Sequence, residues 1–86
     1  MNIKVFQITD YEWWAAESAE AAVEDYLYVT GETEEYIIDR PYELNDEDMK
    51  NNFINLEDGR RITFEAYLAE LIEADTAFPG MFTVAE

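Results

Sequence analysis

Apolar residues at the start of the chain fall into two short runs separated by turn-forming residues. The first run, 2–8, is rich in β-branched and aromatic residues, and the second, 11–16, follows closely enough for a hairpin. Neither run alternates strictly, because apolar residues stand side by side, as at Trp13 and Trp14. This pattern is typical of central strands that are covered on both faces. We therefore predict two paired strands, with a helix over 11–17 as the alternative for the second run.

The clearest pattern in the sequence predicts a helix after the second run. Ser18 is a good N-cap, the helix would extend to about Thr30, and Gly31 suits the left-handed position that follows a helix. Apolar residues recur at intervals of three and four, which places them on one buried face. They are Ala19, Ala22, Val23, Tyr26 and Leu27, and the opposite side carries Glu20, Glu24 and Asp25.

The rest of the chain predicts shorter elements. In order, they are a strand over 36–38, a helix over 46–53 capped by Asn45, a hairpin of 53–56 and 60–62, a helix over 64–74 capped by Thr63, and a strand over 81–84. The inward residues of the last helix would be Phe64, Tyr67, Leu68, Leu71 and Ile72. We predict a single compact acidic domain over 1–86, of the α+β class. Its small, mostly antiparallel sheet would have three to five short strands, with two main helices and one short helix packed on it.

The composition supports a folded chain despite a very large charge. The 86 residues contain 21 Asp and Glu against five Lys and Arg, which gives a net charge of −16. Chains with so much charge of one sign are often disordered, but they are poor in aromatic residues. Here 49% of the residues are hydrophobic and 15% are aromatic. We therefore expect a folded domain.

The residue types also argue against several classes of function. Direct binding to nucleic acid requires Lys and Arg to contact phosphates, and the acidic balance opposes it. No apolar run approaches the length of a membrane span, and no basic start followed by an apolar stretch indicates export. Without Cys or His, the chain has no disulfide, thiolate nucleophile, zinc-thiolate site or histidine base.

Acidic pairs are the remaining candidates for catalysis or metal binding. Two carboxylates can perform acid–base or glycosidic chemistry, but among 21 acids some pair fits any spacing by chance. We predict that the protein is not an enzyme and has no cofactor. Calcium binding at 45–48 or 57–59 is a third hypothesis, because both segments offer oxygen ligands. Neither has the ligand order of an EF-hand loop, so we assign no metal ligand.

Paired tryptophans form the most unusual local string, Asp10-Tyr11-Glu12-Trp13-Trp14. Trp is enriched at interface hot spots, whereas a domain this small needs large apolar residues in its core. We expect one of the two tryptophans in the core and the other as a candidate contact. The corresponding alternative function is a phage or bacterial protein–protein adaptor that uses an aromatic patch, with acidity serving solubility.

The charge density favours a basic partner. A folded monomer of this mass should expose ~5,300 Å², or one net charge per ~330 Å², against ~110 Å² per charge on B-DNA. Residues 5–39 contain ten acids and no Lys or Arg. Glu20 and Glu24 would lie about 5–6 Å apart at Cβ, similar to the spacing of successive phosphates. Solubility and adaptation to high salt are competing explanations, but solubility needs a net charge of only roughly 2–8.

This short, very acidic, cysteine-free chain resembles phage-encoded inhibitors of bacterial defence, particularly anti-CRISPR proteins that act as DNA mimics. The size and charge carry the resemblance over the whole chain, and a string over 10–18 looks like one in small phage proteins. That string is Asp10-Tyr11-Glu12-Trp13-Trp14-Ala15-Ala16-Glu17-Ser18. The resemblance implies a non-enzymatic inhibitor in the host bacterial cytoplasm. It would occupy the basic channel of an RNA-guided effector complex and block binding of target DNA.

Phosphate-like carboxylates are the candidate partner-binding residues. The expected partner is a basic nucleic-acid-binding protein or RNA-guided effector complex, with no membrane and no direct nucleic acid contact, and no residue compels a particular oligomeric state. The candidates are Glu20, Glu24 and Asp25 on the first helix, Glu32, Glu34 and Glu35 after it, and Asp46, Glu47 and Asp48 on the short helix.

Overall fold

The computed structural model describes residues 2–37 and 41–84, which contain six strands and three α-helices. In chain order they are β1 (Lys4–Thr9), β2 (Glu12–Ala16), α1 (Ala19–Thr30), β3 (Tyr42–Glu43), α2 (Asp46–Asn51), β4 (Phe53–Asn55), β5 (Arg61–Thr63), α3 (Phe64–Glu73) and β6 (Gly80–Val84). A single turn of 3-10 helix, Glu34–Tyr36, lies between α1 and β3.

The chain divides into two units. The first, 1–43 with 77–86, contains α1 and a four-stranded antiparallel sheet in the order β3-β1-β2-β6. The second, 44–76, contains the antiparallel β4–β5 hairpin, α2 and α3. The predicted α+β class is therefore confirmed, although the strands belong to two sheets. The expectation that 1–86 form one domain stays a prediction.

The core of the first unit forms where α1 packs on β1 and β2. Phe6 and Trp14 face each other across the two strands, and the edge of the Trp14 ring meets Tyr26 of α1 with ring centroids 5.2 Å apart. The buried cluster consists of Phe6, Ile8, Trp14, Ala16, Ala22 and Tyr26, with Ala19, Val23 and Leu27 partly buried against it. The predicted inward face of the first helix is therefore confirmed.

β1 and β2 are central strands, as the lack of alternation predicts. Val5 and Ala15 are paired across the two strands and, like their neighbours Phe6 and Trp14, are buried. Successive residues of a strand point to opposite faces, so both faces of this pair are covered. The second apolar run of the sequence therefore forms a strand and not the alternative helix.

Both predicted ends of α1 are confirmed. Ser18 Oγ accepts a hydrogen bond of 3.2 Å from the backbone N–H of Ala21, which satisfies one of the donors left open at a helix start. Gly31 adopts a positive φ of 69° and donates its N–H to the carbonyl of Leu27. A residue with a Cβ would be strained in this conformation, so glycine ends the helix here.

Local capping also organises the second unit. The side chain of Asn45 accepts from the N–H of Asp48 at 2.8 Å, and the Asp48 carboxylate accepts from the N–H of Asn45 at 3.2 Å. Thr63 Oγ1 accepts from the N–H of Ala66 and starts α3, as predicted. The hairpin between these helices turns at Gly59, which has a φ of 90°.

Two predicted element boundaries are wrong. Tyr36 belongs to the 3-10 turn instead of a strand, because Glu34 and Glu35 occupy its first turn, where acids favour a helix start. Ile37 is the C-cap residue of that turn and not part of a strand, and the last residue of the predicted strand, 38, lies outside the described residues. α2 ends at Asn51 instead of 53, because Phe53 pairs with Thr63 in the hairpin.

The inward face predicted for the last helix holds for only part of its length. Phe64 is buried and Tyr67, Leu68 and Leu71 are half-buried, but Ile72 is 50% exposed. Periodicity puts an apolar residue on one side of a helix, and burial also requires another element to reach that side. The placement of Ile72 was therefore wrong.

Candidate partner-binding surface

The exposed side of α1 carries a row of residues spaced one turn apart. Glu20 and Glu24 are exposed, and Tyr28, one turn further, is 88% exposed. Residues four apart on a helix are neighbours on its surface, so the three side chains form one row. Because α1 packs on the sheet through its opposite side, this row faces solvent.

Asp25, predicted as part of the same surface, has a structural role, and its part in partner binding stays a prediction. Its Oδ2 accepts a hydrogen bond of 2.8 Å from Nε1 of Trp14, whose side chain is completely buried. A buried indole N–H without an acceptor would cost free energy, so Asp25 completes the core. Assigning it to the outer side of the helix was wrong, because helix periodicity does not reveal a donor on a neighbouring strand.

The acids that follow α1 are exposed. Glu32 comes after the helix C-cap, and its backbone N–H donates to Thr30 Oγ1 at 3.1 Å. Glu34 and Glu35 lie side by side in the 3-10 turn. We call these three exposed acids, together with the exposed Glu20 and Glu24, the first-unit acidic surface.

Two concavities of the first unit contain residues of this surface. Glu20 and Glu24 border a shallow, mostly apolar groove of about 370 Å³. Glu32 lines a more polar pocket of about 380 Å³, together with Asp10 of the β1–β2 turn and Glu12, the first residue of β2. In that turn Thr9 Oγ1 donates to Glu12 Oε1 at 3.1 Å and accepts from the N–H of Tyr11 at 3.2 Å.

The predicted acids of α2 belong to the second unit. Asp46 and Glu47 are exposed in its first turn, where they complement the positive end of the helix dipole. Asp48 is half-buried, and its carboxylate forms half of the capping box. Of the three acids that we grouped from the sequence, at least Asp48 therefore has a structural role.

Several basic residues of the described chain are already engaged. Arg60 binds Asp58 at 2.8 Å and Glu70 at 3.4 Å, the Arg61 guanidinium lies 4.8 Å from the Phe53 ring centroid, and Lys4 pairs with Glu43 at 3.4 Å. The backbone N–H and the guanidinium of Arg60 lower the pKa of Asp58, and Asp58 raises the pKa of Arg60. Over 2–37 and 41–84, no ion pair joins a Lys or Arg to an acid of the first-unit acidic surface.

The charge density is close to the value expected from the sequence. The accessible surface is 5992 Å², so a net charge of −16 corresponds to one charge per ~375 Å². This is a little under a third of the density on B-DNA, at ~110 Å² per charge. A close match to DNA therefore requires local concentration of the acids.

The two tryptophans divide as expected. Trp14 is the core residue, and Trp13 is half-buried in β2 opposite Gln7 of β1 and Thr83 of β6. A docking patch built from both rings is therefore excluded, and Trp13 stays the candidate contact.

The segments considered for calcium have other structural roles. Asn45 and Asp48 cap α2, and Asp58 binds Arg60. Over the described residues, no three acidic side chains converge as they would around a metal ion. None of the helices there is long and apolar enough to cross a bilayer.

Sequence reasoning missed Tyr28 and the acids of the hairpin turn. Tyr28 follows Glu24 by four residues on the polar side of α1, and this spacing could have identified it as exposed. Asp10 and Glu12 line one pocket with Glu32 only because the hairpin turn lies beside the end of α1 in the fold. No local sequence pattern indicates that these three acids lie around the same pocket.

No known family model, curated protein or solved structure shows detectable similarity to this chain.

Proposed function

We propose that the protein is a non-enzymatic inhibitor that binds the nucleic-acid-binding surface of a basic protein. The partner class is a bacterial defence complex such as an RNA-guided effector, and bound inhibitor would block access of target DNA, as in DNA-mimicking anti-CRISPR proteins. The observation that carries the proposal is the first-unit acidic surface. Its five exposed carboxylates have no ion-pair partner among the described Lys and Arg residues.

The physical argument concerns the cost of leaving these charges uncompensated. Glu20 and Glu24 repel each other one turn apart, which destabilises a helix by about 0.2–0.5 kcal/mol. A cationic partner removes that repulsion and gains favourable contacts at the same positions. Complementary charge also speeds association, so binding should be fast and weaken with salt.

Capture of partners from a bacterial lysate tests the proposal. The matched baits are the wild-type protein and two variants that lose the same number of charges at different positions. The site variant replaces Glu20, Glu24, Glu34 and Glu35 by Gln. The control variant removes the same number of charges elsewhere, by Glu57→Gln, Glu65→Gln, Glu73→Gln and Asp75→Asn, all at exposed positions. The wild type and the control should retain a nucleic-acid-binding protein that moderate salt or duplex DNA releases, and the site variant should lose it. Equal retention by both variants would contradict the proposed surface.

A protein–protein adaptor is the second candidate, and exposed aromatic residues favour it. Tyr11 and Tyr28 are 65% and 88% exposed, which is high for side chains with so much apolar area. An adaptor of this kind would hold its partner in high salt and ignore duplex DNA. The same capture experiment therefore separates the two candidates.

A further inference from the structure

The groove beside Glu20 and Glu24 combines an apolar floor with an acidic border. Ala19, Val23 and Pro41 provide the floor, and the two glutamates of α1 provide the border. Ala19 and Val23 also pack against the core cluster, so the floor is anchored to the interior of the first unit. A ligand in this groove would contact a preformed apolar surface and two carboxylates at once.

The two carboxylates can serve a single cation. Glu20 and Glu24 are four residues apart on α1, so their Cβ atoms lie about 5–6 Å from each other. Over 2–37 and 41–84, no ion pair engages either of them. A purely apolar ligand would leave both charges beside it uncompensated, and a small hydrated cation would leave the floor uncovered.

We propose that this groove binds an arginine side chain of the partner protein. The aliphatic part of an arginine covers apolar surface while its charged end reaches the border, and its planar guanidinium offers five N–H donors to two carboxylates. Guanidinium is also more weakly hydrated than the ammonium of lysine, so it is better suited to a partly apolar site. This inference rests on the proposed function, because it names the group on the partner that the acidic surface recognises.

A peptide titration tests the groove without the partner. Acetyl-Gly-Arg-Gly-amide is added to isotopically labelled protein, and backbone amide shifts are followed by NMR. Two control peptides replace arginine by citrulline, its neutral isostere, or by 2-amino-3-guanidinopropionate, which keeps the cation on a shorter stem. We expect the arginine peptide to shift Ala19, Glu20, Val23 and Glu24 and to bind about 3- to 10-fold more tightly than either control.

Protein variants at the groove border and at Arg40, the arginine that precedes the groove residue Pro41 in sequence, complete the test. Glu20→Gln with Glu24→Gln should weaken the arginine peptide about 3- to 10-fold, whereas Glu34→Gln with Glu35→Gln, the same charge change outside the groove, should have less than about a 2-fold effect. Gln has nearly the helix propensity of Glu, so both variants should fold, and circular dichroism checks this. Arg40 precedes Pro41 in the sequence, so Arg40→Gln tests for an intramolecular occupant.

Several results would overturn the inference. Equal affinity for the arginine and citrulline peptides would remove the role of charge, and equal affinity for the short-stem peptide would remove the role of the floor. Shifts confined to 9–12 would assign binding to the pocket at the hairpin turn. Tighter peptide binding by Arg40→Gln would assign the groove to the chain's own side chain. The proposed function is tested separately by the lysate capture, and it would be contradicted if the site variant and the control variant retained the same partners.

Discussion

The indole Nε1 of Trp14 donates a 2.8 Å hydrogen bond to Oδ2 of Asp25, which ties an acidic residue of α1 to the centre of the core. Asp25 directly follows Glu24, yet the two carboxylates have different tasks. One satisfies a buried donor, and the other borders an exposed groove. Acidity on α1 therefore serves stability at one position and is available for recognition at the next.

Removal of the Asp25 carboxylate should destabilise the protein. Asp25→Ala leaves the buried Trp14 N–H without its acceptor, so we expect a loss of about 1–2 kcal/mol in the free energy of unfolding. Asp25→Asn keeps an acceptor oxygen and should lose less. Urea unfolding followed by circular dichroism measures both. Equal stability of the Ala variant and the wild type would show that the hydrogen bond contributes nothing.

Reversal of the two groove charges should affect binding and leave folding intact. Glu20→Lys with Glu24→Lys replaces attraction to a basic partner by repulsion, so we expect the association rate constant at low salt to fall about 10-fold or more. The difference from wild type should shrink as ionic strength rises from about 0.05 to 0.3 M, because salt screens exposed charges. Surface plasmon resonance with the captured partner measures the association rate constants of the variant and of the wild type at each salt concentration. An unchanged association rate would argue against electrostatic steering by α1.

Tyr28 distinguishes the two candidate functions. Its side chain is 88% exposed, so Tyr28→Ala should change the free energy of unfolding by less than about 0.5 kcal/mol. If the inhibitor proposal is right, this variant should keep most of its affinity and its salt dependence. A loss of about 2 kcal/mol or more in binding, insensitive to salt, would identify Tyr28 as an aromatic hot spot and favour the adaptor.

Acid should remove the contribution of Asp58 to stability. Arg60 holds the pKa of Asp58 below its usual 3.8, so the folded protein favours the ionised carboxyl. This contribution is fully present above the unfolded pKa and is lost as the pH falls through the lower folded value. Asp58→Asn should therefore be less stable than wild type at neutral pH, and the gap should close as the pH falls below 3.8. Urea unfolding at a series of pH values checks this. A gap that is unchanged in acid would assign the difference to a cause other than ionisation.

The sequence predicted best those features that depend on near neighbours. Ser18 and Gly31 bound α1 because capping is decided by residues within one turn of the helix end. Asn45 and Thr63 start the other two helices for the same reason. Identification of the core Trp required the register of β1 and β2, which pairs Trp14 with Phe6 beneath α1.

Features that depend on distant contacts were not predictable from local patterns. β3 is held at the sheet edge by pairing with β1 and by the ion pair of Glu43 with Lys4, which is 39 residues away in sequence. Asp25 resembles Glu24 in the sequence, and only the position of Trp14 separates their roles. The same holds for the groove, whose floor joins Pro41 to Ala19 and Val23 of α1.

Competition with DNA tests the central claim most directly. A fluorescently labelled duplex is bound to the captured nucleic-acid-binding partner, and its anisotropy is followed as the protein is added at several salt concentrations. The account predicts full displacement of the duplex at near-stoichiometric protein, with an inhibition constant that weakens as salt rises. A duplex that stays bound while the protein also binds, forming a ternary complex, would contradict the claim that the acidic surface occupies the DNA site.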